Sequence, residues 1–140
     1  QLYALMTKLK NPASAMVLPE IISKEPLGPV VRQGDDVWFN INKWTLNALI
    51  NAEEMGITSQ NINEKKSSKD PSVMRFVGNS KNLGKKINLD NSWAVNIIAQ
   101  VGNYGEIFER NVGKNTPLKI ARGLNALWSK GGIMYAPPMR

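Results

Sequence analysis

The sequence contains no cysteine and no histidine. Without cysteine there is no disulfide framework, no thiolate-ligated metal and no thiol nucleophile. Without histidine the commonest general base and the commonest transition-metal ligand are both missing, which argues against a serine or cysteine triad and against a zinc hydrolase. Long apolar runs are lacking as well. No stretch approaches the roughly 20 apolar residues needed to cross a bilayer, and residues 1 to 30 lack the basic, apolar and small-residue layout of an export signal. What is present is a chain of 140 residues, 42% hydrophobic with four Trp. That suffices for one ordered domain burying roughly two thirds of its unfolded surface.

The formal charge is +7 and it is unevenly placed. Residues 65 to 88 carry seven basic residues (Lys65, Lys66, Lys69, Arg75, Lys81, Lys85, Lys86) against one acid, Asp70. A nucleic-acid patch would have this sign. The window holds one aromatic, Phe76, and so no stacking platform of the kind single-strand binders use. A solvated, mobile, loop-rich surface is the preferred reading, with no nucleic-acid partner.

The chain turns on residues 18 to 36, where Pro26 and Pro29 bracket Leu27 and Gly28. Each proline fixes φ and biases the residue before it towards extended geometry, so Glu25 and Gly28 are expected outside any helix. Met16 to Leu18 and Glu20 to Ser23 are β-branched or apolar enough to be strands, and the extended pairing of the molecule is expected within Met16 to Gln33. Gly34 and Asp35-Asp36 then supply a turn and a helix N-cap. Two extended pieces joined by a stiffened bend describe a crossing between two bodies.

Helices are expected on either side. Leu2, Leu5, Met6 and Leu9 fall at helical spacing from the first residues, a start without a capping residue that fits a chain whose upstream part lies elsewhere. From Asp36 to Met55 the apolar arc, including Trp38, Phe39 and Trp44, is broad enough to predict the most buried element, stopped by Gly56. Short turns are expected at Asn61 to Lys66 and Pro71 to Val77, and a helix at Trp93 to Val101. The last helix is expected over Pro117 to Lys130, burying Ile120, Leu124, Leu127 and Trp128, before an extended tail packed along its own domain.

The adjacent acids Asp35-Asp36 and Glu53-Glu54 are not read as acid–base pairs: the first sit at an N-cap, and the second point to different faces of a helix. Gly102, Gly105, Gly113 and Gly123 lack the strand-to-helix setting of a phosphate cradle. Tyr104 is expected to bury its ring at a packed corner and tie down a turn with its hydroxyl. No catalytic group, metal site or cofactor emerges, so an enzyme is disfavoured. A helical protein–protein interaction module and a basic nucleic-acid-binding domain stay open as alternatives to a ligand receptor.

Three strings carry a family resemblance: LPEIISKEPLGPVVRQGDD, WFNINKWTLNALINAEEMGIT and VGNYGEIFERNVGKNTPLKIARGLNALWSKGGIMYAPPMR. They resemble the C-terminal part of the periplasmic general L-amino-acid-binding proteins, the receptors of ABC uptake transporters. The resemblance implies a mainly helical α+β piece of a two-lobe (type II) α/β fold. It divides the chain into residues 1–24 as a remnant of the second lobe, 25–35 as the interlobe hinge crossover, and 36–140 as the helical C-terminal part of the first lobe with a family-specific extension. It further implies a periplasmic location, an L-amino acid ligand, ABC permease subunits as partners, no cofactor, and hinge closure as the mechanism. The ligand-side or hinge groups it points to are Lys24, Glu25, Pro26, Leu27, Gly28 and Pro29. Most of the pocket would lie outside this chain, so the chain alone is expected to bind amino acids weakly and to self-associate.

Overall fold

The computed structural model describes residues 1–23 and 25–140. Six α-helices follow in order: α1 (Leu2–Met6), α2 (Asp36–Glu54), α3 (Ile62–Lys65), α4 (Pro71–Phe76), α5 (Trp93–Val101) and α6 (Tyr104–Asn111). Among the described residues no helix is long and apolar enough to cross a membrane. The architecture is mainly helical, as expected.

Helix α2 starts because Asp35 accepts a hydrogen bond from the Trp38 amide at 2.9 Å, with Asp36 favourably placed against the helix dipole. It ends at Gly56, whose φ of +63° is the left-handed stop. Its second half enters the core. Ala48 and Ala52 are fully covered, and these small side chains let α5 and α6 approach. Ile57, Ile62, Val73, Phe76, Val77, Trp93, Ala94, Val95 and Ile98 join them in one cluster.

Two expectations about burial are corrected here. The first half of α2 is not covered: Trp38 is 51% exposed, and only from Trp44 onward does the helix meet the core. The most enclosed helix is instead α5, with Trp93, Ala94, Val95 and Ile98 buried among its nine residues. Nor is the basic window wholly solvated. Helix α4 turns Val73 and Phe76 inward, with Val77 beside them, and leaves the lysines outside. Asp70 caps this helix, and the amides of Val73 and Ser72 hold its exposed carboxyl below the ordinary range.

The strand pairing expected within Met16 to Gln33 is also absent among the described residues. Its described residues form neither helix nor strand and pair with no strand among the described residues. The one isolated bridge among the described residues is parallel, between Leu127 and Met134. It arises because the last expected helix does not form. Lys119 and Gly123 both adopt positive φ (+50° and +47°), which interrupts α geometry, and the Ile120 amide bonds back to the Val112 carbonyl at 2.9 Å. Residues 117–130 form instead two 3₁₀ turns (Gly123–Asn125 and Trp128–Lys130), where Leu127 is buried while Leu124 and Trp128 stay about half exposed. Tertiary hydrogen bonds have outweighed helical propensity. The tail does run extended along its own domain, with Ala136 buried and Met139 packed on the core.

The corner before α6 is held differently from the Tyr104 expectation. Asn103 and Glu106 form a capping box: the Glu106 amide donates to Asn103 Oδ1 at 2.9 Å and the Asn103 amide to Glu106 Oε2 at 2.8 Å. The same carboxylate accepts from the Ser59 hydroxyl at 2.6 Å and from the Ser59 amide, while Asn103 Nδ2 donates to the Ile57 carbonyl at 2.8 Å. Burial alone would raise the Glu106 carboxyl, but the bonds from Ser59 and Asn103, with the Arg110 charge, outweigh it and hold it below the usual 4.5. A carboxyl lowered in the fold contributes stability that is fully present above its ordinary value and is lost as pH falls through the lowered one. Glu106→Ala is expected to cost about 2 to 3 kcal/mol in urea unfolding, because several donors lose a charged acceptor. Stability of the parent chain should decline below about pH 4.5, and Glu106→Gln should flatten that decline.

Candidate functional site

The described part of the crossover, residues 25–31, belongs to no helix or strand. Two local bonds shape it, from the Leu27 amide to the Glu25 carbonyl at 2.9 Å and from the Asp35 amide to the Arg32 carbonyl at 3.4 Å. Gly34, at φ +84°, makes the turn into α2. Glu25, Pro26, Leu27, Gly28 and Pro29 are all exposed, and the structure does not gather them into a pocket. Lys24 lies outside the described residues. Ile22, Leu27 and Val30 are 97%, 92% and 95% exposed, so this segment presents apolar side chains without covering them.

Among the described residues of the hinge set Glu25 to Pro29, Pro29 lines a groove that Asp35 and Asp36 also line. That groove, about 640 Å³, runs between residues 29–36 and the exposed half of α2, where Phe39, Asn42, Lys43 and Leu46 form the wall. Lys43 Nζ sits 5.9 Å from the centre of the Phe39 ring, and Asn42 Nδ2 donates to the Trp38 carbonyl at 2.9 Å. Arg32 and Lys43 share the groove with Asp35 and Asp36, so charges of both signs stand over an apolar floor. Arg32 and Lys43 were missed in the sequence reading. The available signal was spacing: Phe39, Lys43 and Leu46 recur three and four residues apart on one face, directly after Arg32.

One acid of α2, Glu53, is tied into the fold. Glu53 pairs with Arg122 at 2.9 Å, and the Arg122 guanidinium also lies 5.5 Å from the Tyr104 ring centre and 5.2 Å from that of Phe108. Burial raises the Tyr104 hydroxyl above its usual value, against the opposing pull of Arg122. Glu54 accepts from the Trp128 indole at 3.1 Å. Among the described residues no group of three or more acidic side chains is arranged to hold a metal.

No family model matches the chain. Curated proteins do. It is 62% identical, over 99% of its length, to the general L-amino acid-binding periplasmic protein AapJ of Rhizobium johnstonii. It is 53% identical, over 94% of its length, to the glutamate/glutamine/aspartate/asparagine-binding protein BztA of Rhodobacter capsulatus. The chain spans 41% and 39% of the lengths of these relatives. Among solved structures it superposes with a TM-score of 0.94 on an ABC transporter periplasmic binding protein from Brucella ovis with glutathione bound. That protein is 54% identical, and the match covers 99% of this chain and 44% of the other.

The exposure pattern separates the crossover energetically from the helical body. Val30→Ser and Leu27→Ser are expected to change unfolding free energy by less than about 0.5 kcal/mol. Ile57→Ala, in the closed core, should cost about 2 to 4 kcal/mol. Parallel urea titrations check the contrast, and a loss above about 1 kcal/mol at Val30 would show that the crossover is packed.

Proposed function

The chain is homologous over its full length to the C-terminal part of the periplasmic amino-acid-binding proteins of ABC transporters, and on that premise we propose that it supplies the crossover and the helical first-lobe portion of such a receptor. The observation carrying the proposal is the 62% identity to AapJ extending through nearly the whole chain, crossover and tail included. Its relatives are binding proteins rather than enzymes. In this reading the protein works in the periplasm, captures an L-amino acid and passes it to the permease subunits of its transporter.

The mechanism is hinge closure. Residues 1–24 belong to the second lobe, residues 25–35 are the crossover, and residues 36–140 complete the first lobe. Closing two lobes needs a few backbone bonds that rotate without disturbing either core. The exposed segment from Glu25 to Pro29 meets that requirement, since its side chains are uncovered and its hydrogen bonds are local. Pro26 and Pro29 restrict the rotation to the bonds between them. The groove next to the crossover carries Arg32 and Lys43 beside Asp35 and Asp36, charges of both signs as a zwitterionic ligand would need.

An α-ammonium and an α-carboxylate are strongly hydrated, and burying them requires paired partners from both lobes. This chain alone is therefore expected to bind amino acids no more tightly than millimolar, and its uncovered residues Ile22, Leu27 and Val30 should drive self-association. A chimera joining it to the N-terminal part of a relative should be monomeric and bind L-amino acids at micromolar Kd or better. In that chimera Pro26→Gly with Pro29→Gly should weaken binding by about threefold to tenfold, because a looser crossover loses more entropy on closure. Calorimetric titration with a panel of L-amino acids, alongside light scattering, checks each part. A folded chimera that binds none of them would contradict the receptor reading.

A further inference from the structure

A second cavity, about 320 Å³, opens where the C-terminal tail crosses α2 and α4, and none of residues 25–35 lines it. Its walls carry opposite chemistry. On α2, Asn51 and Glu54 stand three residues apart and share a face. Asn51 is only 8% exposed, and its amide nitrogen donates both hydrogens, to the Asn47 and Pro137 carbonyls at 2.9 Å each. Two carbonyl acceptors fix the orientation of that amide. Its Oδ1 is left as an acceptor to which nothing among the described residues donates. Glu54 gives Oε1 to the Trp128 indole and keeps Oε2. The α2 wall is therefore a pair of acceptors.

The α4 wall is a pair of donors. Arg75 and Ser72 also stand three residues apart, and the guanidinium bonds to Ser72 Oγ at 3.0 Å and to the Met139 carbonyl at 3.2 Å. One guanidinium nitrogen and the Ser72 hydroxyl hydrogen are left over. Glu54 and Arg75 line the same space, yet among the described residues no ion pair joins them. Trp128 and Tyr135, in an edge-to-face pair with ring centres 6.1 Å apart, line the outer rim. A free amide acceptor and a carboxylate on one wall, and a guanidinium and a hydroxyl on the other, with two aromatic rings at the rim, match a small molecule bearing both an ammonium and a carboxylate.

We propose that this cavity is an accessory binding site for a small amino-acid-type zwitterion, with the ammonium held by Asn51 and Glu54 and the carboxylate by Ser72 and Arg75. The proposal does not rest on the receptor reading, because every lining residue belongs to this chain and no lobe closure is involved. The site stays open to solvent, so binding is millimolar.

The test is an NMR titration of this chain with L-leucine, L-leucinamide, which lacks the carboxylate, and N-acetyl-L-leucine, which lacks the ammonium. L-leucine should shift the Trp128 indole and Asn51 side-chain signals with a Kd of a few millimolar, and each derivative should bind about tenfold more weakly. Glu54→Gln keeps an acceptor for the Trp128 indole, so the fold stands while affinity falls about tenfold; Ser72→Ala should fall less. Thermal midpoints of both variants report on folding. Equal responses to all three compounds, shifts confined to the Phe39 and Lys43 groove, or no shift at about 50 mM would each overturn the proposal.

Discussion

One carboxylate organises the helical body. Glu106 closes the capping box of α6 and at the same time collects the amide and hydroxyl of Ser59, in the loop that leaves α2. Asn103 completes the knot by donating to the Ile57 carbonyl beneath it. Helix starts leave orphan amides, and loop turns leave more; here a single anion satisfies both sets. The consequence is geometric. With Ile57 fully buried next to the knot, the end of α2 and the start of α6 have one relative placement, and α5 is caught between the core and the tight turn at Gly102.

A second tie works along the side of α6. Arg122 pairs with Glu53, faces the rings of Tyr104 and Phe108, and donates to the Asn125 carbonyl, so a residue from the irregular C-terminal third is fixed against α2 and α6 together. That third then leads the tail back over α2 and α4 through Asn51 and Arg75. The rigid body begins at about Trp44, whereas the crossover and the first turns of α2 are outside it. Under the proposed hinge reading, closure would move the crossover and leave this body unchanged. With no cysteine in the sequence, no disulfide within the chain contributes to these ties.

Much of this was legible in the sequence, and the reasons for the rest are physical. Helices α4 and α5 follow from local signals: Asp70 before Pro71, and apolar residues at Trp93, Ala94, Ile97 and Ile98 stopped by Gly102. The family itself was readable from the long strings around the crossover and the tail. The helix expected over Pro117 to Lys130 failed because Lys119 and Gly123 adopt positive φ under long-range hydrogen bonds that periodicity does not encode. The burial of Trp38 failed because a broad apolar arc says how much surface a helix needs covered, not whether the covering residues belong to the same chain. At the crossover, the exposed apolar residues were visible in sequence, while the groove with Arg32 and Lys43 depended on how the turn at Gly34 folds back on α2.

The account stands most directly on the Asn103, Glu106 and Ser59 knot holding the body as one cooperative unit. Native-state amide exchange measures this residue by residue. The amides of Ser59, Asn103 and Glu106 should exchange with the same free energy as those of Val95 and Ile98 in α5, at the level of global unfolding, while residues 25–33 exchange without protection. If Ser59 and Asn103 exchanged through an independent opening several kcal/mol below α5, the knot would be an ornament of the loop and not the constraint on which the body depends.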